Sequence, residues 1–578
     1  MASITRRPRP RSTRDPRPEA LGAEPPPSPQ PPRLSRRQKK RFTWEQRRQF
    51  ARKAGLSRRQ LKRLSGQFPQ PVSTVFGPLA PALTRPTYHR LVLLALAAIL
   101  TVGARTLTNL LRTLGALAPG HPSSYHRVLS HRRWSTRRLA RRYIAAVLAR
   151  FAPHGRVELA GDDTVTEHPG EKVYGKGCHR DPVRSTHAFT AYRWGHKWVV
   201  LAVLVRFPFC RRRWALPLMV ALYRPEEPEP ATGEPARKRK KARKRKKARK
   251  QATPKEPARK QATPKEPARK QATPKEPARK QATPKEPARP GSEKEAGRPQ
   301  RAHKTPVDLL AQMLRILIRW FPDRTFVCSA DGNYAAHELA ELAAAHPERL
   351  KFVSKFYPHA NLFAPPPEYS GNGRPPAKGK KLPDPAQVVR DTVERPVLVV
   401  AWYGGERRKV EVVTGWGLWY RSGQDLVPVR WVFVHDRTGK HRDEYFFTTD
   451  VAMSPRQVIE TYTGRWNIET TFEEVRSYLG VGTTRGRCRN TILRVEPGLF
   501  VLSTVVAWLY AELPARFTHV RVVDWLGKSD VTFSDAITAV RRWLWVEGVF
   551  AMTGHREAFQ KLGRPLRQIL LSGLAPAA

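Results

Sequence analysis

From Gln251 the chain repeats one ten-residue unit, Q-A-T-P-K-E-P-A-R-K, three times, and a fourth copy ends in A-R-P. Just ahead of it runs K-R-K-K-A-R-K-R-K-K-A-R-K. Two prolines in every unit break a helix, and the unit has almost nothing apolar to bury, so it cannot stack into a solenoid. Residues 225–304 therefore read as a disordered, basic, extended linker, and the folded body has to be assembled from the sequence on either side of it. Each unit carries three basic residues and one acid, a composition that adds salt-sensitive, sequence-independent affinity for a polyanion.

The rest of the composition points the same way. Lys plus Arg number 107 against 48 Asp plus Glu, a net charge of +59 over 578 residues. A chain this basic repels itself unless a polyanion is its normal partner, and nucleic acid is the first candidate. An anionic membrane is the weaker one, because no lipidation motif or long basic amphipathic helix supports it. Cys178, Cys210, Cys328 and Cys488 show no C-x-x-C spacing, which argues against a zinc ribbon or a disulfide framework and suits a reducing compartment. The first residues lack the apolar core of a signal peptide, and the run Leu91–Val102 is too short for the roughly 20 residues that cross a bilayer. The expectation is a soluble protein with no membrane partner, cytoplasmic, and nucleoid-associated if the source is bacterial.

In chain order, residues 1–40 are Pro- and Arg-rich and read as a disordered tail. Residues 41–155 read as a helical domain. Phe42 to Gln67 suggests two short basic helices broken at Gly55, and Tyr88–Leu117 and Trp134–Phe151 suggest longer ones. His121, His126 and His131 recur at five-residue steps with no acid or cysteine beside them, which favours phosphate contact over zinc. Over 156–224 the character turns to strand: V-E-L-A-G-D-D-T ends at the acidic pair Asp162 and Asp163, followed by S-T-H-A-F-T-A-Y, K-W-V-V-L-A-V-L-V-R-F and A-L-P-L-M-V-A-L-Y. Residues 305–360 give a capped amphipathic helix from Thr305, then the strand R-T-F-V-C-S-A running into Asp331. D-G-N-Y starts another helix, and the strand K-F-V-S-K-F places Lys351 and Lys355 on one edge. Residues 361–450 are β-rich, 451–510 and 511–578 mostly helical.

One stretch of the helical part carries chemistry. Ser454 to Gly480 opens with a cap, Pro455 and the capping-box residue Gln457, and Gly480 is a natural stop. Tyr462, Arg465, Glu469 and Arg476 are separated by 3, 4 and 7 residues, steps that return to one helix face. Trp466, Ile468, Phe472, Val475 and Leu479 supply an apolar stripe beside them, so the acid is expected at the edge of a core.

The spacing Y-x2-R-x3-E-x6-R resembles the signature of DDE-type transposases of cut-and-paste insertion sequences, the subgroup named for its Y-R-E-K residues; Arg476 stands where Lys is usual. The resemblance implies an α/β protein with an RNase H-like core in three parts (156–224, 305–360 and 451–510). It also implies a β-rich insertion at 361–450, a helical DNA-binding domain at 41–155 that grips the element's ends, and a helical C-terminal region at 511–578. It makes Glu469 the third carboxylate of a catalytic, metal-binding set whose first two are Asp162 and Asp331. The family's D-x-T pattern favours Asp162, and strand alternation leaves Asp163 as the alternative. The implied cofactor is a pair of Mg²⁺ ions, or Mn²⁺ in their place, held by hard oxygen ligands. Tyr462, Arg465 and Arg476 would bind phosphates flanking the cut, with Lys172, Lys176, Arg180 and Lys355 as further DNA contacts. Trp402, Trp416 and Trp419 are candidates to stack on an extruded base. The implied partners are transposon-end and target DNA, bound by a homodimer, with strand transfer of the 3′-OH and a possible hairpin at the excised end. Two other readings remain open: a noncatalytic DNA-compacting derivative, and a nuclease of the same fold without strand transfer.

Overall fold

An eleven-residue strand, Val157–Glu167 (β1), is the axis of the molecule. The computed structural model describes residues 68–181, 184–186, 188–225, 303–369, 371, 375–518 and 528–576. The expected tail, the two helices of Phe42–Gln67 and nearly all of the linker lie outside them. The acidic pair was expected to end its strand; it sits mid-strand, because β1 continues pairing past it. β1 is antiparallel to Tyr192–Arg206 (β3), with Asp162 opposite Val200 and Glu167 opposite Gly195. Gly177–Arg180 (β2) and Arg213–Tyr223 (β4) both pair with β3. Phe326–Ala330 (β5) lies parallel to β1, and Leu350–Lys355 (β6) parallel to β5. From Trp198 to Val205 every residue of β3 is buried, which requires cover on both faces. S-T-H-A-F-T-A-Y, expected as a strand, is irregular up to Tyr192 in its described residues, despite its β-branched and aromatic content.

The β-rich block comprises Leu362–Phe363 (β7), Val397–Ala401 (β8), Arg407–Trp419 (β9), Val427–Asp436 (β10) and Glu444–Thr448 (β11). It is not a separate layer. β11 pairs antiparallel with β6, so all eleven strands join one mixed sheet.

Before the sheet come Gln70–Phe76 (α1), Arg85–Leu100 (α2), Leu107–Leu114 (α3), Pro122–Ser130 (α4) and Thr136–Phe151 (α5). The expected helix Tyr88–Leu117 is thus two, parted around Gly103 at φ 84°. Pro306–Trp320 (α6) opens with a full capping box between Thr305 and Asp308. His337–Ala344 (α7) and Pro385–Asp391 (α8) follow, with a single 3₁₀ turn at Gly332–Tyr334 delaying the helix expected from Asp331. Pro455–Gly464 (α9), Asn467–Leu479 (α10), Arg489–Glu512 (α11), Ala515–Thr518 (α12), Phe533–Trp543 (α13), Arg556–Lys561 (α14) and Arg564–Leu574 (α15) complete the order. By length and composition α11 could cross a bilayer; here it is mostly buried in the core.

The stretch expected as one helix is two, and the packing says why. Val458, Ile459 and Tyr462 of α9 bury in an apolar cluster with Val400, Trp402, Val432 and Phe446 of the β-rich block. Ile468, Phe472, Val475 and Leu479 of α10 bury in the main core. Between them, Arg465 and Trp466 donate their N–H groups to the carbonyls of Tyr462 and Thr463, three residues back, so one tightened turn re-aims the helix from one core to the other. Trp466, expected in the apolar stripe, is exposed on that turn. The far end of α10 is fixed by Gly480 at φ 68° and by two buried arginines, Arg105 and Arg541, which both donate to the Tyr478 carbonyl.

Candidate active site

Three elements bring the three expected carboxylates together. A Cβ at Gly161 would stand 3.0 Å from the Leu310 methyls of α6, so that face of β1 is sealed by the helix. Strand alternation turns the next side chain, Asp162, to the opposite face, under the α9–α10 turn. Asp331 follows β5 directly, and Ala330 is registered against Gly161, so its carboxylate emerges beside that of Asp162. Glu469 lies in the first turn of α10.

What joins them is Arg465. Its Nη1 is 2.7 Å from Asp162 Oδ2, and its Nη2 is 3.0 Å from Glu469 Oε1 and 3.7 Å from Asp331 Oδ1. The guanidinium side chain is 5% exposed, Asp162 15%, Asp331 32% and Glu469 45%, so the cluster opens to solvent on the Asp331 and Glu469 side. Burial pushes Asp162 up to about 7; Arg465 opposes this, while the charges of Asp331 and Asp163 add to it. For Arg465 burial works downward, and the surrounding acids, led by Asp162, outweigh it and hold the guanidinium above its ordinary value.

The alternative first acid, Asp163, points elsewhere. Its carboxylate takes Lys197 Nζ at 3.0 Å and the Tyr334 O–H at 2.9 Å, while its N–H donates to Asp162 Oδ1 at 2.7 Å. The structure groups Asp162, not Asp163, with Asp331 and Glu469. Tyr462 is buried against Phe446 and directs its O–H to Asp331 Oδ1 at 3.5 Å. Burial raises both Tyr334 and Tyr462 above the usual phenol value, so each remains an O–H donor.

The remaining expected contacts do not join the acid cluster. Arg476 is exposed and donates to Thr164 Oγ1, one β-repeat along from Asp162 on the same face. Lys355 Nζ is 2.7 Å from Glu444, which also accepts from the Tyr403 O–H. Lys172 and Arg180 are exposed, and Lys176 Nζ donates to the Gly170 carbonyl. Trp402 and Trp419 are buried; Trp416 is 58% exposed. Sequence reasoning missed Lys197, Tyr334 and Glu444. Tyr334 carried a signal, three residues after Asp331 in D-G-N-Y.

Among the described residues no three His, Cys, Asp or Glu side chains stand in metal-ligand geometry. The donor set nevertheless suits a hard divalent cation. Its donors are all carboxylate oxygens, already arranged around one positive charge. That charge is itself held incompletely, since the Arg465 Nε–H is buried with no hydrogen-bond partner among the described residues.

A family model described as DDE superfamily endonuclease matches residues 78–263 and 267–409, more than half of the chain. Asp162 and Asp331 lie within the matched residues and Glu469 beyond them. No curated protein matches the chain. Among solved structures, the chain is similar to the cryo-EM structure of a piggyBac transposase synaptic complex with hairpin DNA, at 8% identity and a TM-score of 0.34, over 88% of this chain and 83% of that one. On the family match, the chain belongs to the DDE superfamily of endonucleases.

Proposed function

We propose that the protein is a DDE transposase of the Y-R-E-K type, which hydrolyses phosphodiesters at transposon ends and transfers the resulting 3′-OH to target DNA. The observation that carries this is the meeting of Asp162, Asp331 and Glu469 at one guanidinium, from three elements far apart in sequence. The order β4-β3-β1-β5-β6, with β5 and β6 parallel to β1 and β3 antiparallel, supports an RNase H-like core. The β-rich block enters between β6 and α9, the point where the Y-R-E-K resemblance expects an insertion.

In this reading Asp162, Asp331 and Glu469 hold two divalent ions, Mg²⁺ or Mn²⁺. When bound, the ions supply activation of the attacking oxygen and stabilisation of the leaving one. The chain's own residues do the rest. Tyr462 orients Asp331 through its O–H. Lys197 and Tyr334 hold the neighbouring Asp163 carboxylate away from the set. Arg465, released from the acids, offers its planar fork to a phosphate, a geometry a lysine would not supply. Arg476, Lys355, Lys172, Lys176 and Arg180 bind the flanking backbone. The helical domain adds grip, since the chain holds no acid from His121 to Phe151. A homodimer on DNA provides one site for each element end.

Glu469→Gln in the full chain tests the reading on duplexes built from the DNA at either side of the gene, with any inverted repeats found there. Divalent-dependent strand cleavage should fall on the order of 10³-fold or more, with DNA affinity unchanged. No divalent-dependent cleavage by the unaltered protein, with DNA bound and a biological activity that the substitution leaves unchanged, would favour a noncatalytic DNA-binding protein. Cleavage by the unaltered protein without any joined product would favour a nuclease.

A further inference from the structure

The β2–β3 hairpin carries an exposed face whose aromatic rings have no role in the chemistry above. Cys178 is registered against Trp194 and Arg180 against Tyr192, so these four side chains share one face. All four are exposed, Tyr192 at 65% and Trp194 at 63%, and Phe189 just before the strand is 66% exposed. The opposite face is built differently: Gly177, His179 and Asp181 are buried, and Asp181 is tied to Arg193 at 2.5 Å. The hairpin is therefore fastened on one side and presents large rings to water on the other.

Beside it runs T-R-G-R-C-R-N, a loop that leads into the first turn of α11, with Arg485, Arg487 and Arg489 all exposed. Three contacts place the two together. The His168 N–H donates to the Trp194 carbonyl, a Cβ at Gly170 would lie 4.0 Å from Arg487 Nε, and the Tyr174 N–H donates to the Arg487 carbonyl. Arg489 also donates to the Tyr174 O–H oxygen at 3.3 Å. From Gly480 to Val495 the chain holds no acid; the next, Glu496, is buried on Thr484 and Gly482.

Solvent-facing rings on a strand beside exposed arginines form a stacking platform with a cationic rail, the combination that takes nucleic acid whose bases are free of a duplex. The geometry points to this surface as a binding site for unpaired DNA: bases stack on Tyr192 and Trp194, and phosphates follow Arg485, Arg487 and Arg489. Trp194 is six residues along β3 from Val200, which lies opposite Asp162, so the platform stands roughly 20 Å from the acids, about six nucleotides of strand. A duplex end opened at the cut would reach it. The inference rests on the chain's acting on DNA and not on the catalytic roles of the three acids.

The test is binding by the full chain in EDTA, so that no cleavage intervenes, at moderately high salt where nonspecific phosphate attraction is weak. The probes are a single-stranded oligonucleotide and the same sequence as a duplex. The double variant Tyr192→Ala, Trp194→Ala should bind the single strand at least about tenfold more weakly, with duplex affinity unchanged within about twofold. Tyr192→Phe with Trp194→Phe keeps the rings and should restore the affinity. Replacing the three arginines by Ala should lower the single-strand salt slope by about two. An iodouracil-substituted strand should photocrosslink to Tyr192 or Trp194. Equal losses for strand and duplex, no loss at all, or crosslinks only elsewhere would each overturn the proposal. Because all of these are read without chemistry, none depends on the outcome for Glu469→Gln.

Discussion

At Arg465 one side chain supplies a positive charge that three acids share. Asp162 sits where burial works against ionisation, with Asp163 and Asp331 as neighbours, and the guanidinium is what makes that crowding tolerable. Arg465→Ala should therefore destabilise the protein by roughly 3–5 kcal/mol in EDTA, the range for leaving a buried charge without its partner. Millimolar Mg²⁺ should then raise the variant's unfolding temperature by more than it raises that of the unaltered protein. An equal response in a thermal scan would mean that ion and arginine do not serve the same acids. Much of this was legible in advance, because steps of 3 and 4 residues set Tyr462, Arg465 and Glu469 on one side. The partners of Asp163 were not, since Lys197 comes from β3 and Tyr334 from beyond β5, and no local spacing encodes an approach across strands. The spacing allows the Arg465–Glu469 ion pair, but nothing local encodes the contacts of Arg465 to Asp162 and Asp331.

At the level of elements, the site depends on how tightly β1 is held between α6 and the α9–α10 turn. Gly161 allows Leu310 to close one face, and that closure fixes which aspartate meets Arg465. Gly161→Val would drive two methyls into Leu310. A loss of about 1–3 kcal/mol by chemical denaturation is expected, together with reduced cleavage as Asp162 is displaced. The bend between α9 and α10 left only a faint mark in the sequence, Gly464 inside an otherwise continuous helical pattern. Its cause is tertiary: two apolar clusters at different places on the sheet, each claiming half of the stretch. β1 was read as ending at its acids because aspartate is rare within strands. Here Arg465, Lys197 and Tyr334 satisfy both carboxylates, and the pairing with β3 runs on.

For the molecule as a whole, the long basic repeat splits the chain without splitting the sheet. The Tyr223 and His303 rings on its two flanks are 5.8 Å apart, so β4 is left and α6 approached at nearly one point. Removing residues 227–301 and closing the gap with about four Gly and Ser residues should leave unfolding temperature and low-salt cleavage nearly unchanged. DNA affinity should fall, with a shallower dependence on salt. Alternation and turn residues made β8, β9 and β10 visible, but not β7, β11 or the β11–β6 pairing that joins the block to the other strands, a contact between segments nearly a hundred residues apart. The central claim about the molecule is that three acids, from β1, the end of β5 and α10, serve one pair of ions. The most direct measurement is the anomalous scattering of Mn²⁺ in crystals of the protein bound to an end duplex. Mn²⁺ should be bound directly by Asp162, Asp331 and Glu469, with Arg465 turned to a phosphate. Manganese bound by Asp163, or none near Glu469, would contradict it.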